Sequence, residues 1–389
     1  MKHISVTAHS LFVLASLQGA LWGCGEQNEG NVTPPPPPFV FATVPSGGGS
    51  GSVLPGVGGG SATESDVNKP LPSTGCGQAL PAEQVETIPG SRTGYTMWFV
   101  NQTGATLAED VPAGAGERQF FVRVPFDYDP NKPYRVVYIG QGCGAKRAGK
   151  TNTHPLFLEA QGGTEQAIYV GLSVHDNSPN TGCYDNNSGA KSVEWEAFDL
   201  IHAFVEKTYC VDNNRVFVDG YSTGGWLANM YSCYFGGTPS PPLDDADLKA
   251  GRTERKFSPK WAVRGGVRMT GSLPPNQPRA CNGPSAGLWI HDTLDKSNLL
   301  ETNVAALNLA LKTNGCEGDY ENGPKRTWAP AEDIPGLQGG LCQEYTGCSP
   351  EMSKNYPLVF CTTTGFGHAD QPSVIPAATK FFDMMNPAP

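Results

Sequence analysis

The chain has 389 residues, with 37 Asp and Glu against 27 Lys and Arg, a formal net charge of -10 and a pI near 5.2. That balance offers no cationic surface to neutralise phosphates, which argues against nucleic acid or an anionic membrane face as a partner. Among the 11 cysteines no Cys-x2-Cys pair is followed by a second pair or by spaced histidines, so no metal site is expected and disulfides account better for the sulfur.

Residues 1–23 read as an export signal, with Lys2 near the start and an apolar run over 11–21 that is too short to span a bilayer. The run ends in Leu21-Trp22-Gly23-Cys24, which resembles a bacterial lipobox. That resemblance implies a diacylated Cys24 as the first mature residue and a membrane link through lipid alone. Trp22 stands where small residues are usual, so a plain secretory signal is the alternative. Either way an exported bacterial protein is expected. With Cys24 set aside, the ten cysteines at 76, 143, 183, 210, 233, 281, 316, 342, 348 and 361 form an even set in an oxidising compartment, enough for five bridges.

Residues 24–90 carry a proline run at 34–38, glycine-rich stretches at 47–51 and 58–60, and few apolar side chains. Such a segment cannot offset the entropy of ordering and is expected to be a tether. Beyond it, over 91–389, apolar runs rich in Val, Ile, Tyr and Phe predict strands at 120–124, 135–139, 167–172, 215–218, 261–269, 288–291 and 357–361. Helices are predicted between them. Trp195, Phe198, Ile201, His202 and Val205 recur at three- and four-residue steps within 192–209, and further helices fall at 301–312 and 374–385. Strands alternating with helices predict one α/β domain, a mostly parallel sheet with helices on both faces.

Gly-x-Ser-x-Gly occurs twice, as Gly220-Tyr221-Ser222-Thr223-Gly224 and as Gly283-Pro284-Ser285-Ala286-Gly287. A nucleophilic serine needs a sharp strand-to-helix turn that exposes its hydroxyl beside a backbone amide. Ser222 follows the apolar run 215–218 and precedes a helix-forming stretch at 225–230, whereas Ser285 precedes a strand, so Ser222 is the candidate. In an α/β-hydrolase the order is serine, acid, histidine. His368, in the glycine-rich loop 364–368 after the last predicted strand, is the histidine that meets it. His291 instead lies in the strand expected to carry the acid. That strand ends in Leu288-Trp289-Ile290-His291-Asp292-Thr293-Leu294-Asp295, with Asp292 and Asp295 as candidates.

Here the chain resembles the secreted esterases that include feruloyl esterases and polyhydroxybutyrate depolymerases. In that family an apolar strand leads into His-Gly-Thr-x-Asp, whose last residue is the catalytic acid. The matching run His291-Asp292-Thr293-Leu294-Asp295 implies that role for Asp295, with Asp292 standing where the family has glycine. The family's His-Gly-Cys-Gly after an early strand matches Gln141-Gly142-Cys143-Gly144. The resemblance implies an oxyanion hole built from the amide of Gly142 or Cys143 and that of Thr223. It also implies the α/β-hydrolase fold and an extracellular ester, small or polymeric, as substrate: a feruloyl or acetyl ester of plant polysaccharide, or a polyhydroxyalkanoate. The expected monomeric enzyme needs no cofactor, since Ser222, His368 and Asp295 suffice for an acyl-enzyme route. An inactive surface protein that binds carbohydrate on the same fold, and a serine peptidase, are the alternatives. Cys143 and Cys183 each lie in a loop soon after a predicted strand, where active-site loops gather, and are expected to be bridged. Trp226 and Trp328 are candidates for an acyl pocket, although a core position is the commoner role for any single tryptophan.

Overall fold

A strand buried on both faces is rich in apolar side chains, and the runs 134–140, 167–172, 263–269 and 286–292 are buried at every position. The computed structural model describes residues 67–81, 86–87, 94–101, 104–107, 118–125, 127–144, 167–174, 182–186, 192–237, 261–273, 281–318, 320, 328–331, 334, 337, 340–371 and 374–385. All of these belong to the unit Gly60–Pro389. Cys24 and the rest of the expected signal lie outside the described residues, as does most of the tether.

In chain order the strands are β1 (Glu86–Thr87), β2 (Gly94–Asn101), β3 (Gly104–Leu107), β4 (Arg118–Arg123), β5 (Tyr134–Gly140), β6 (Ala167–Leu172), β7 (Val211–Tyr221), β8 (Val263–Met269), β9 (Ala286–Asp292), β10 (Trp328–Pro330), β11 (Leu341–Tyr345) and β12 (Leu358–Thr363). The helices are α1 (Val193–Thr208), α2 (Thr223–Tyr234), α3 (Leu300–Thr313), α4 (Pro350–Asn355) and α5 (Val374–Met384). Among the described residues these strands form one sheet in the order β1-β2-β4-β6-β5-β7-β8-β9-β12-β11-β10, with β3 beside β2. The centre, β6-β5-β7-β8-β9-β12, is parallel, and antiparallel strands extend it at both edges. This is the α/β-hydrolase fold, with the candidate serine at the end of a central strand.

Alternation of side chains across β5 divides the core in two. Val136 and Tyr138 pack with Trp195, Phe198 and Ile201 of α1 and Leu227 and Met230 of α2, whereas Val137 and Ile139 join Phe217, Phe381 and Phe382 beneath α5. Each such fully buried side chain contributes roughly 1.5–3 kcal/mol. The Ser192 hydroxyl caps α1 by accepting the Glu194 amide. Glu194 itself is fully buried and pairs with Arg118 of β4 at 2.6 Å, tying the antiparallel edge to that helix.

Composition assigns residues 67–81 to the tether, yet they pack on the domain. Ser73 N donates to Val211 O at 2.9 Å, Leu71 N to Asp212 Oδ1 at 2.8 Å, and Cys76 is bridged to Cys210 just before β7. Backbone bonds and a covalent link hold this segment where apolar burial could not, so the ordered domain begins before the boundary expected at residue 91.

Candidate active site

The turn after β7 is a strained one. Ser222 has φ 55° and ψ -122°, and α2 starts at the next residue. Close backbone packing enforces the turn: a Cβ on Gly224 would lie 2.0 Å from the Gly140 carbonyl oxygen, and one on Gly220 would lie 2.1 Å from that of Gly224. Ser222 N is fixed to Met269 O of β8 at 3.0 Å. Gly224 is thus required by the approach of α2 to β5, and Gly220 by the approach of the first turn of α2 to β7.

His368 reaches this serine from the loop after β12. Its Nε2 lies 2.8 Å from Ser222 Oγ and its Nδ1 lies 2.8 Å from Asp295 Oδ2. One tautomer satisfies both contacts, with Nδ1–H donating to the carboxylate and Nε2 accepting from the hydroxyl. The Asp295 side chain is wholly buried while that of His368 is 23% exposed, so the acid is shielded and the imidazole is open to the site. Asp295 Oδ1 accepts the amides of Ser297 at 2.8 Å and Asn298 at 3.0 Å, leaving Oδ2 for the imidazole.

Asp292 lies at the end of β9 and is engaged elsewhere. Its Oδ1 accepts Leu294 N at 2.9 Å, and its Oδ2 accepts Phe366 N and Thr363 Oγ1, both at 3.0 Å. Burial would raise its pKa, but the amides of Phe366, Leu294 and Gly367 and the Thr363 hydroxyl outweigh burial and hold the carboxyl below its usual range. Asp292 therefore joins the acid turn to the loop that carries His368. His291, one residue earlier, is buried, and its Nδ1 lies 3.3 Å from Asn303 Nδ2.

The three residues expected to form the oxyanion hole gather around Ser222. A Cβ on Gly142 would lie 3.0 Å from the Tyr221 ring and 3.4 Å from Ser222 Cβ, so this loop backbone packs directly on the elbow. Cys143 Sγ lies 3.6 Å from Thr223 Oγ1. Thr223 opens α2, and a helix has no internal acceptor for its first amides. The expected bridge between Cys143 and Cys183 is present, and Gly144 N donates to Gly182 O beside it. Replacing both cysteines with serine is expected to lower kcat by about 10- to 100-fold, part of the loss that follows deletion of an oxyanion donor, because the loop would no longer be fixed. Initial rates on an activated ester measure this, and an unchanged kcat would free the loop from the bridge.

Two residues enter the site that motif reading does not single out. Asn186 Nδ2 donates to Thr223 O at 3.0 Å, and Tyr221 Oη donates to the His368 carbonyl at 3.0 Å with the two rings 5.4 Å apart. Tyr221 thereby touches the elbow, the Gly142 loop and the histidine loop together. Loss of one hydrogen bond worth about 1 kcal/mol predicts that Tyr221→Phe lowers kcat about fivefold with little change in KM. A rise in KM at constant kcat would make Tyr221 a binding residue instead. Trp226 is half-buried on α2, and the side chain of Trp328 lies outside the described residues.

No family model matches the chain. It is 27% identical over 282 residues to feruloyl esterase C of Emericella nidulans, an alignment covering 69% of this chain and 84% of that protein. Probable feruloyl esterase C of Aspergillus clavatus is 24% identical over 308 residues, covering 72% and 93% respectively. Among solved structures, the acetyl xylan esterase from Aspergillus awamori superposes with a TM-score of 0.44 at 15% identity, over 70% of this chain and 94% of that one.

Proposed function

We propose that this chain is an exported serine esterase that hydrolyses carboxylic esters through an acyl-enzyme on Ser222. The observation that carries the reading is the continuous series from buried Asp295 through His368 to the strained Ser222, with 2.8 Å at each step. His368 Nε2 takes the hydroxyl proton as Ser222 Oγ attacks the ester carbonyl, and Asp295 stabilises the imidazolium that forms. The amides of Thr223 and of Gly142 or Cys143 receive the oxyanion. His368 then returns the proton to the departing alcohol, and water, activated by the same nitrogen, releases the acid.

Relatives named feruloyl esterase C, aligned over about 70% of the chain, support a carboxylic ester hydrolase and favour an aromatic acyl ester of plant polysaccharide over acetyl esters and polyhydroxyalkanoates. Initial rates on methyl ferulate, an acetylated xylan, a hydroxybutyrate oligomer and a peptide amide test this directly. Methyl ferulate is expected to have the highest kcat/KM. Preference for the amide would make the chain a peptidase, and inactivity on all four would leave a carbohydrate-binding protein on a hydrolase fold.

Export rests on residues 1–24 and on five disulfides among the described residues. Mass spectrometry of the mature amino terminus is expected to find diacylated Cys24. An unmodified terminus at any other residue would replace the lipid anchor with plain secretion.

A further inference from the structure

Away from the serine, α2, β8, β9 and α3 line a small cavity of about 20 Å³, room for one water-sized occupant and partly open to solvent. Arg268 of β8 and Ser232 and Asn229 of α2 line it, together with Ser285, Trp289 and the Cys233–Cys281 bridge; among the described residues its walls hold no acidic side chain. Arg268 is 1% exposed, stacks 4.5 Å from the centre of the Trp289 ring, and donates from Nη1 to the carbonyls of Gly266 at 2.7 Å and Ala286 at 3.1 Å. Its Nε has no acceptor among the described residues, and the buried Ser232 Oγ likewise has no partner.

A guanidinium almost wholly withdrawn from solvent is costly without a counter-charge. Burial lowers the Arg268 pKa to about 9 against the opposing field of Asp219, so the group still carries its charge at neutral pH. Among the described residues no carboxylate makes an ion pair with it. Asp219 is itself pushed strongly toward its neutral form, by burial first and by Asp370 second, which weakens the compensation further. Among the described residues the cavity therefore offers no negative charge to set against the unsatisfied Arg268 Nε–H and Ser232 hydroxyl.

We propose that this cavity binds a small monovalent anion, chloride in size and charge, between Arg268 and Ser232 Oγ. The anion stabilises the packing of α2 and α3 on the sheet and takes no part in the chemistry at Ser222.

Thermal unfolding of the full chain, in sodium chloride and in sodium gluconate at equal ionic strength, tests the proposal. Ligand linkage predicts a Tm about 3 °C higher in chloride once chloride exceeds its Kd tenfold. Ser232→Ala is expected to weaken the chloride midpoint about tenfold, since a hydrogen bond to an ion is lost, and Arg268→Met to abolish the salt difference. Should Arg268→Met not fold, crystals of the wild-type chain soaked in sodium bromide give the second reading, with an anomalous peak expected beside Arg268. Equal Tm values in the two salts, a salt difference that survives in a folded Arg268→Met variant, or a cavity holding water alone after the bromide soak would each overturn it. A sodium acetate arm separates sources: a shift equal to that in chloride assigns the site to small carboxylates as well as halides, within the same proposal.

Discussion

Replacing Ser222 with alanine is expected to lower kcat by roughly 10⁶-fold, the scale seen when a serine hydrolase loses its nucleophile. The fold should survive. Alanine fits the space of the hydroxymethyl group, and the turn is held by Gly220, Gly224 and the Met269 carbonyl rather than by Ser222 Oγ. Activity left above the water rate would come from the oxyanion amides and substrate binding alone. Ser285→Ala is the control within the same chain. Ser285 precedes β9, its amide donates to Asn314 Oδ1 at 3.2 Å, and its carbonyl accepts from Asn314 Nδ2 at 3.1 Å, a backbone role that a change of side chain leaves intact. Its variant should keep the wild-type rate, and a reversal of the two results would move the chemistry to the second motif.

The next largest effect concerns the two carboxylates of the acid turn. Asp295→Asn is expected to reduce kcat by up to about 10⁴-fold with the fold intact, because an amide nitrogen facing His368 favours the tautomer that cannot accept the serine proton. Asp292 touches neither His368 nor Ser222, so Asp292→Asn should keep kcat within about tenfold and instead cost about 1–3 kcal/mol of stability, as a buried acceptor of three hydrogen bonds is disturbed. The pH dependence separates the two further. Asp292 has a depressed pKa when folded, so its contribution is complete above the unfolded value near 4 and is lost as pH falls through the lower folded value. The stability gap between wild type and Asp292→Asn should therefore close in acid. Measurements on purified variants with matched circular dichroism check both claims, and a larger rate loss in Asp292→Asn would reassign the acid.

Much of this arrangement could be read from the residues, because the parallel strands are built around apolar runs and β6 begins and ends where its apolar run does, at 167 and 172. The elbow was legible for the same reason: a β-run, a glycine-flanked serine and a helix-forming stretch lie in series. Boundaries failed where polar side chains are buried in pairs. β4 starts at Arg118, earlier than its apolar run suggests, because that arginine is neutralised by Glu194. β7 starts at Val211, four residues before the apolar run at 215–218, because Asp212 bonds Leu71 N and Arg215 there. The outer antiparallel strands β1, β2, β3, β10 and β11 and the short helix α4 were not anticipated; six residues capped by Ser349 give too short a period to recognise. Contacts between distant loops, such as Tyr221 with the His368 carbonyl, leave no local pattern at all.

The central claim is that Ser222 is the residue acylated during turnover, and a fluorophosphonate probe followed by peptide mass spectrometry tests it most directly. One equivalent of probe is expected on the peptide containing Ser222, with labelling lost in Ser222→Ala and slowed in Asp295→Asn. Probe found on Ser285, or wild-type enzyme that hydrolyses esters at full rate while unlabelled, would contradict it.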